Sequence, residues 1–342
     1  MQLEQQEGKR RYKLKERDLQ LFRDLYFLRT LTTQQINRLY FQSSADYVYR
    51  KITWYVKNGY LTREPLVNEK GRRETKCLYL TDKAIAELIE NGLLPVHVRE
   101  ARRNRDGRYR RRAVEIAEIH IGVVGTSWTF IEGREIKHRY SLDRSSILCG
   151  ALRDEKGFEH VTYLIESDYP EAFPNFVMDE IRKLSYGGIK RVVLFFKDPQ
   201  RERDFHDLPT VLESYMRLPY VGGPQILSNF RWDDPIFAEQ VIRSSIQDIS
   251  DITPLWSIHP SGFQYQASFS GTPFIIGEYV TKNYSTLRRI RAYTREIAEN
   301  YGDLLLLVGT KEDGLLIKEM FAGWDHIHPV LANWDMLQEF VQ

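Results

Sequence analysis

Between Lys15 and Arg29, Leu21, Leu25 and Leu28, joined by Phe22 and Tyr26, recur at helical spacing among charged residues and predict a helix. A second follows almost at once: Thr32 has the chemistry of an N-cap, Gln35 completes a capping box, and Ile36, Leu39 and Tyr40 supply a stripe for burial. Ser43 or Ser44 opens a third helix, which runs to Lys57 and stops at the helix-ending pair Asn58-Gly59. Strand-like runs then take over. Tyr60 to Val67, confined to a sheet edge by Pro65, and Thr75 to Leu80 predict two strands around the charged turn NEKGRRE. Thr81-Asp82 starts a fourth helix over KAIAELIENG. Three helices, a basic-tipped hairpin and a closing helix together make a winged helix-turn-helix pattern over residues 15–92, behind a basic tail at 1–14.

The stretch PVHVREARRNRDGRYRRR carries eight arginines and little apolar content, so residues 93–112 read as an arginine-rich linker or exposed helix entry. Beyond it AVEIAEIHIGVVGTSWTFI is apolar enough for a buried helix. SSILCGALRD and FEHVTYLIESD pair across the turn Glu155-Lys156-Gly157, a helix spans about 174–186, and KRVVLFF is a buried strand. The alternation continues to the end and predicts an α/β layer architecture for residues 113–342. Glu166 at a strand end, a helix and the strand Val192–Phe196 are echoed as Glu278, a helix and Leu304–Val308, 112 residues later. Either the domain holds two related halves, about 140–230 and 250–342, or two strand-helix-strand units resemble one another generically.

Composition adds limits. At 342 residues and 42% hydrophobic content the chain can bury a sizeable core and suits a multi-domain α/β class. No run of 18 apolar residues appears and Met1 to Lys15 is polar, so a membrane span and a signal peptide are not expected and the cytoplasm is. Cys77 and Cys149 show no metal-ligand spacing. The net charge of +2 conceals a division: residues 1–112 carry 26 Lys and Arg against 14 Asp and Glu, the remainder 23 against 33. A basic N-terminal third suggests a module for a polyanion.

On a helical wheel for residues 45–57, Val48, Ile52, Tyr55 and Val56 form the inward stripe, while Tyr47, Arg50, Thr53, Trp54 and Lys57 point the other way. Guanidinium, ammonium, hydroxyl and aromatic groups suit the edges and backbone of a DNA duplex, and Tyr47 and Arg50 lie nearest the bases if the helix enters the major groove. Lys70, Arg72 and Arg73 at the hairpin tip would track phosphates. For Arg102, Arg103 and Arg105 a phosphate-tracking arm and a solvated linker stand equal. The alternative for the helix face is that Trp54 packs inward and the cations only solvate a surface.

No phosphate loop, GxGxxG or nucleophile signature is present, and no cofactor is expected. Two weaker constellations remain. Glu166 and Asp168 end a central strand behind a hairpin, followed by a helix and a strand, the way a restriction-endonuclease-like core holds carboxylates for Mg²⁺. The lysine of that chemistry is missing two residues on, where Asp168 stands, and near Glu278 the nearest candidate is Lys282. His326-Ile327-His328 has the His-hydrophobe-His spacing of a nicking-enzyme metal site, with Tyr293 and Tyr301 as candidate nucleophiles; a satisfied histidine pair at a strand edge is the default.

In the order LTTQQINRLYF, VYRKITWYVKNGYLTRE and YLTDKAIAEL, then an arginine-rich joint and a helix containing His120, the chain resembles the replication-relaxation family of plasmids and mobile elements, best over residues 15–125 and more weakly over 147–198. The resemblance implies a winged-helix module for double-stranded DNA and an α/β domain of nuclease-like ancestry. The departure from the acidic pattern at 147–168 leaves catalysis behind, so a non-catalytic initiator or accessory factor is expected, with self-association or a partner protein for the acidic domain. A transcription regulator and a metal-dependent nicking enzyme are the rivals.

Overall fold

A computed structural model describes residues 14–67, 73–98, 107–143, 145–205, 212–255 and 259–333. The chain is mixed α/β and divides into two compact units, residues 1–121 and 122–342.

The first unit runs α1 (Glu16–Leu28), β1 (Leu31–Thr32), α2 (Thr33–Ile36), α3 (Ala45–Lys57), β2 (Leu61–Val67), β3 (Arg73–Leu80) and α4 (Asp82–Glu90), and holds most of α5 (Gly107–Val123). Thr32 and Gln35 form the reciprocal cap: the Gln35 N–H donates to the Thr32 hydroxyl, and the Thr32 N–H to the Gln35 side chain. The second helix then widens into a π-helical turn, Asn37–Phe41, which the periodicity does not show. Ser44 caps α3, and Gly59, at φ +74°, reverses the chain after it. The three strands lie in the order β1-β3-β2, all antiparallel, so β2 with Pro65 is an edge. Leu21, Phe22, Leu25, Val48, Ile52, Tyr55, Leu78 and Leu88 are buried at the centre, while Val56, read as inward, is only half-buried.

Part of the arginine-rich segment takes its helix-entry alternative. Gly107 to Arg112 form the first turns of α5, and the compact units divide at 121/122 instead of at a linker ending at 112. The physical reason is specific bonding: Arg110 pairs with Glu64, Arg111 with Glu74 (3.4 Å), and Gln35 donates to the Val114 carbonyl and to Glu118 (2.8 Å each). Arg102, Arg103 and Arg105 lie outside the described residues.

Among the described residues the second unit contains two five-stranded sheets of one design. The first has β4 (Thr129–Glu132), α6 (Gly133–Arg139), β5 (Gly150–Arg153), β6 (Glu159–Ile165), α7 (Phe173–Tyr186), β7 (Arg191–Phe196), a 3-10 helix at Pro199–Phe205, and β8 (Ser214–Pro219). After α8 (Gly223–Asn229) and α9 (Pro235–Ser245) come β9 (Ile249–Pro254), β10 (Tyr265–Phe269), β11 (Thr272–Tyr279), α10 (Tyr284–Ala292), α11 (Arg295–Tyr301), β12 (Asp303–Val308), α12 (Lys311–Met320) and β13 (Ile327–Leu331). In each sheet the strands lie side by side in chain order, the first three antiparallel and the last three parallel. The run Leu304–Leu307 shows why β12 is apolar on both faces. Leu304 and Leu306 face α10 and α12, whereas Leu305 and Leu307 face α9.

The 112-residue echo holds for two strands and slips on a third. Val192 opposite Tyr215 recurs as Leu304 opposite Ile327, but Val161 opposite Val192 recurs as Ile275 opposite Leu304, an interval of 114 on β11. Glu278 therefore stands level with Leu164, within the strand, and not with Glu166 beyond the strand end.

Candidate nucleic-acid interface

Helix α3 is fixed by a buried charge. Asp18, in the first turn of α1, is fully buried, and its carboxylate accepts hydrogen bonds from the Lys15 N–H (3.1 Å), the Tyr55 hydroxyl (2.6 Å) and the Lys51 ammonium (3.3 Å). A carboxylate removed from water is tolerated only when such donors meet it. Two of them come from α3, so they set the rotation of that helix about its own axis. Lys51 also lies over the rings of Trp54 and Tyr55, at 5.2 and 4.8 Å.

With Val48, Ile52 and Tyr55 turned inward, Asp46, Tyr49, Arg50 and Lys57 are exposed along the opposite side at steps of one, three and seven residues, with half-buried Thr53 between the last two. Tyr47 is partly exposed, its ring edge-on to Phe41 at 5.8 Å. Trp54 requires correction. It is half-buried and stacked on Tyr60 (centroids 5.9 Å apart, planes 28° apart), because the turn at Gly59 folds Tyr60 back beside the last turns of α3. Its indole thus packs on the helix end while staying partly exposed.

Thr53 is engaged as well. Its hydroxyl accepts a 2.8 Å hydrogen bond from Arg63 of β2, and the same guanidinium lies over the exposed ring of Tyr49 at 5.3 Å. The helical wheel allowed Tyr49 to be found, since it precedes Thr53 by four residues; Arg63 gave no sequence signal, because only the fold brings β2 beside α3. The acids of the hairpin, Glu64 and Glu74, are met by Arg110 and Arg111 of α5. Arg73 begins β3, and Lys70 and Arg72 lie outside the described residues.

The other candidates do not assemble. Glu166 ion-pairs with Lys197 at 2.5 Å, the two residues following the adjacent parallel strands β6 and β7. A lysine thus reaches this carboxylate from the neighbouring strand, while Asp168 is exposed beside it. Burial pushes the Glu278 carboxyl above its usual range, against hydrogen bonds from the Thr281 N–H (3.3 Å) and hydroxyl (3.1 Å) and the charge of Arg289. Lys282 turns away to Glu202 (2.8 Å) and Asp313 (2.9 Å).

His326 and His328 also diverge: Nε2 of His326 bonds the Tyr293 carbonyl (2.9 Å), and Nε2 of His328 bonds Asp303 (3.0 Å). Tyr293 is buried with its hydroxyl donating to the Gly302 carbonyl, and burial raises its phenol pKa; Tyr301 packs edge-on against His259 at 4.7 Å. Among the described residues no group of three or more His, Cys, Asp or Glu is placed to hold a metal ion. No helix among them is long and apolar enough to cross a membrane.

No protein-family model, curated protein or solved structure matches this chain.

Proposed function

We propose that the chain is a sequence-specific double-stranded-DNA-binding protein whose first unit is a winged helix-turn-helix with α3 as the recognition helix. The observation that carries this reading is the exposed side of α3, where Tyr49, Arg50 and Lys57 face solvent on a helix whose rotation is fixed by Asp18. The cations would contact phosphates and position the protein, and the remaining side chains of that face would read base edges. The element order and the β1-β3-β2 sheet support the same reading.

The biological setting is proposed from the family resemblance of residues 15–125: replication initiation or relaxation of a plasmid or mobile element, in the cytoplasm, as a non-catalytic factor. The second unit is read as two copies of a restriction-endonuclease-like scaffold, supported by the repeated strand order and the shared 112-residue interval of β7/β12 and β8/β13. Its negative charge suits a second copy of this chain or a partner protein more than DNA.

Selection of fragments bound by the full-length protein from mixed plasmid and genomic DNA tests the proposal. Enrichment of a common site at an origin or transfer locus is expected. Enrichment confined to promoters would transfer the reading to a transcription regulator, and no enrichment over input would sink sequence-specific binding.

A further inference from the structure

We infer that Arg63, held by Tyr49 and Thr53, is the base-reading group of the first unit and takes a guanine on the major-groove edge of duplex DNA. This rests on the DNA-binding reading above and names what that site recognises.

A guanidinium carries five N–H donors in one plane, and the arrangement of Arg63 commits one N–H of Nη2 to the Thr53 hydroxyl at 2.8 Å. The ring of Tyr49 lies against the guanidinium at 5.3 Å and is itself 58% exposed. A cation-π contact on one side and a hydrogen bond at one corner restrict the side chain while leaving further N–H groups for a ligand. A planar fork of parallel donors matches the O6 and N7 acceptors of guanine, whereas adenine offers a donor beside its N7 and repels the fork. Holding the fork in place before binding removes part of the entropy cost that a long, mobile side chain otherwise pays.

The neighbours divide the work. Arg50 and Lys57 are exposed on α3 to either side of Thr53 along the helix, placed for phosphates flanking a single base step. Glu64, next to Arg63 in sequence, points to the other face of β2 and pairs with Arg110 on α5, so the nearest carboxylate on the strand does not compete for Arg63. Tyr49, Thr53 and Arg63 thus come from two elements but form one reading unit.

The test uses the full-length protein with a randomised duplex library, then fluorescence anisotropy on the selected duplex and its single-base-pair variants. Arg63→Lys keeps the charge and loses the fork. It is expected to reduce discrimination for one G·C pair by roughly 10- to 100-fold and to leave the salt dependence unchanged. Tyr49→Leu, at an exposed position, should lose part of the same discrimination. Unaltered preference at every base pair in both Arg63→Lys and Tyr49→Leu overturns the assignment to Arg63 with DNA binding itself intact. Absence of any duplex binding by the wild-type protein overturns both this assignment and the reading beneath it.

Discussion

The hydroxyl of Tyr55, on α3, donates a 2.6 Å hydrogen bond to the fully buried carboxylate of Asp18, on α1. This contact joins the core of the first unit to the orientation of its exposed face: the same helix turn that buries Tyr55 carries Lys51 to Asp18 and sets Arg50 and Lys57 in solvent.

Tyr55→Phe leaves Asp18 with one donor fewer and is expected to cost about 1–3 kcal/mol. Hydrogen exchange at the α3 amides of the full-length protein should show the loss. In a double-mutant cycle with Asp18→Ala the two changes should be non-additive, since they remove one interaction; additive costs would mean that the bond contributes nothing beyond packing.

Replacing Arg50 and Lys57 together by Ala removes two exposed cations without touching the core. The slope of log binding constant against log salt should then become shallower by about 2. Trp54→Phe keeps a ring against Tyr60 and should leave that slope where it was, because the indole carries no charge with which to displace counterions.

His160, in β6, is buried, and burial pushes its imidazole down to about 4 despite its 3.3 Å contact with Asp154. The group is neutral in the folded chain and titrates near 6.5 when unfolded, so the unfolded state binds the extra proton first. Stability is therefore full above about 6.5 and falls by up to about 3 kcal/mol as pH drops towards 4. Imidazole resonances should show His160 neutral at pH 5, and His160→Gln should lose less stability than wild type between pH 7 and 4.

Lys282 lies between Glu202 of the first sheet's 3-10 helix and Asp313 of α12, and Arg217 beside them donates to the Tyr279 hydroxyl at 2.7 Å. Burial by itself lowers the ammonium's pKa, but the two carboxylates outweigh it and hold it above its ordinary value. Lys282→Met removes the ammonium the two acids share, leaving Glu202 with Arg217 (3.6 Å) and Asp313 with the Thr310 hydroxyl (2.8 Å), and is expected to cost about 3 kcal/mol at neutral pH. Because the folded pKa is the higher one, the lysine's contribution is full below about 10.4 and fades as pH rises through the folded value. Denaturant melts of wild type and variant should converge in that alkaline range.

Several elements were legible because their signals are local. The caps at Thr32, Ser44 and Thr81, the stop at Asn58-Gly59, the edge role of Pro65 and the hairpin across Glu155-Lys156-Gly157 each depend on residues a few positions apart. The inward stripe of α3 followed from its 3.6-residue period, and the apolar β7 and β12 from their unbroken runs.

What the chain order alone determined, then, was which segments become helix or strand, which side of α3 is apolar and where positive charge concentrates, since each is settled by near neighbours and side-chain chemistry. Tertiary structure decided the rest: that Trp54 lies on Tyr60, that Arg63 reaches Thr53 and Tyr49, that α5 answers the hairpin's acids, and that a two-residue slip on β11 draws Glu278 into its strand. Those outcomes depend on register and on residues distant in sequence, and no period or spacing along one segment encodes which distant side chain will meet it.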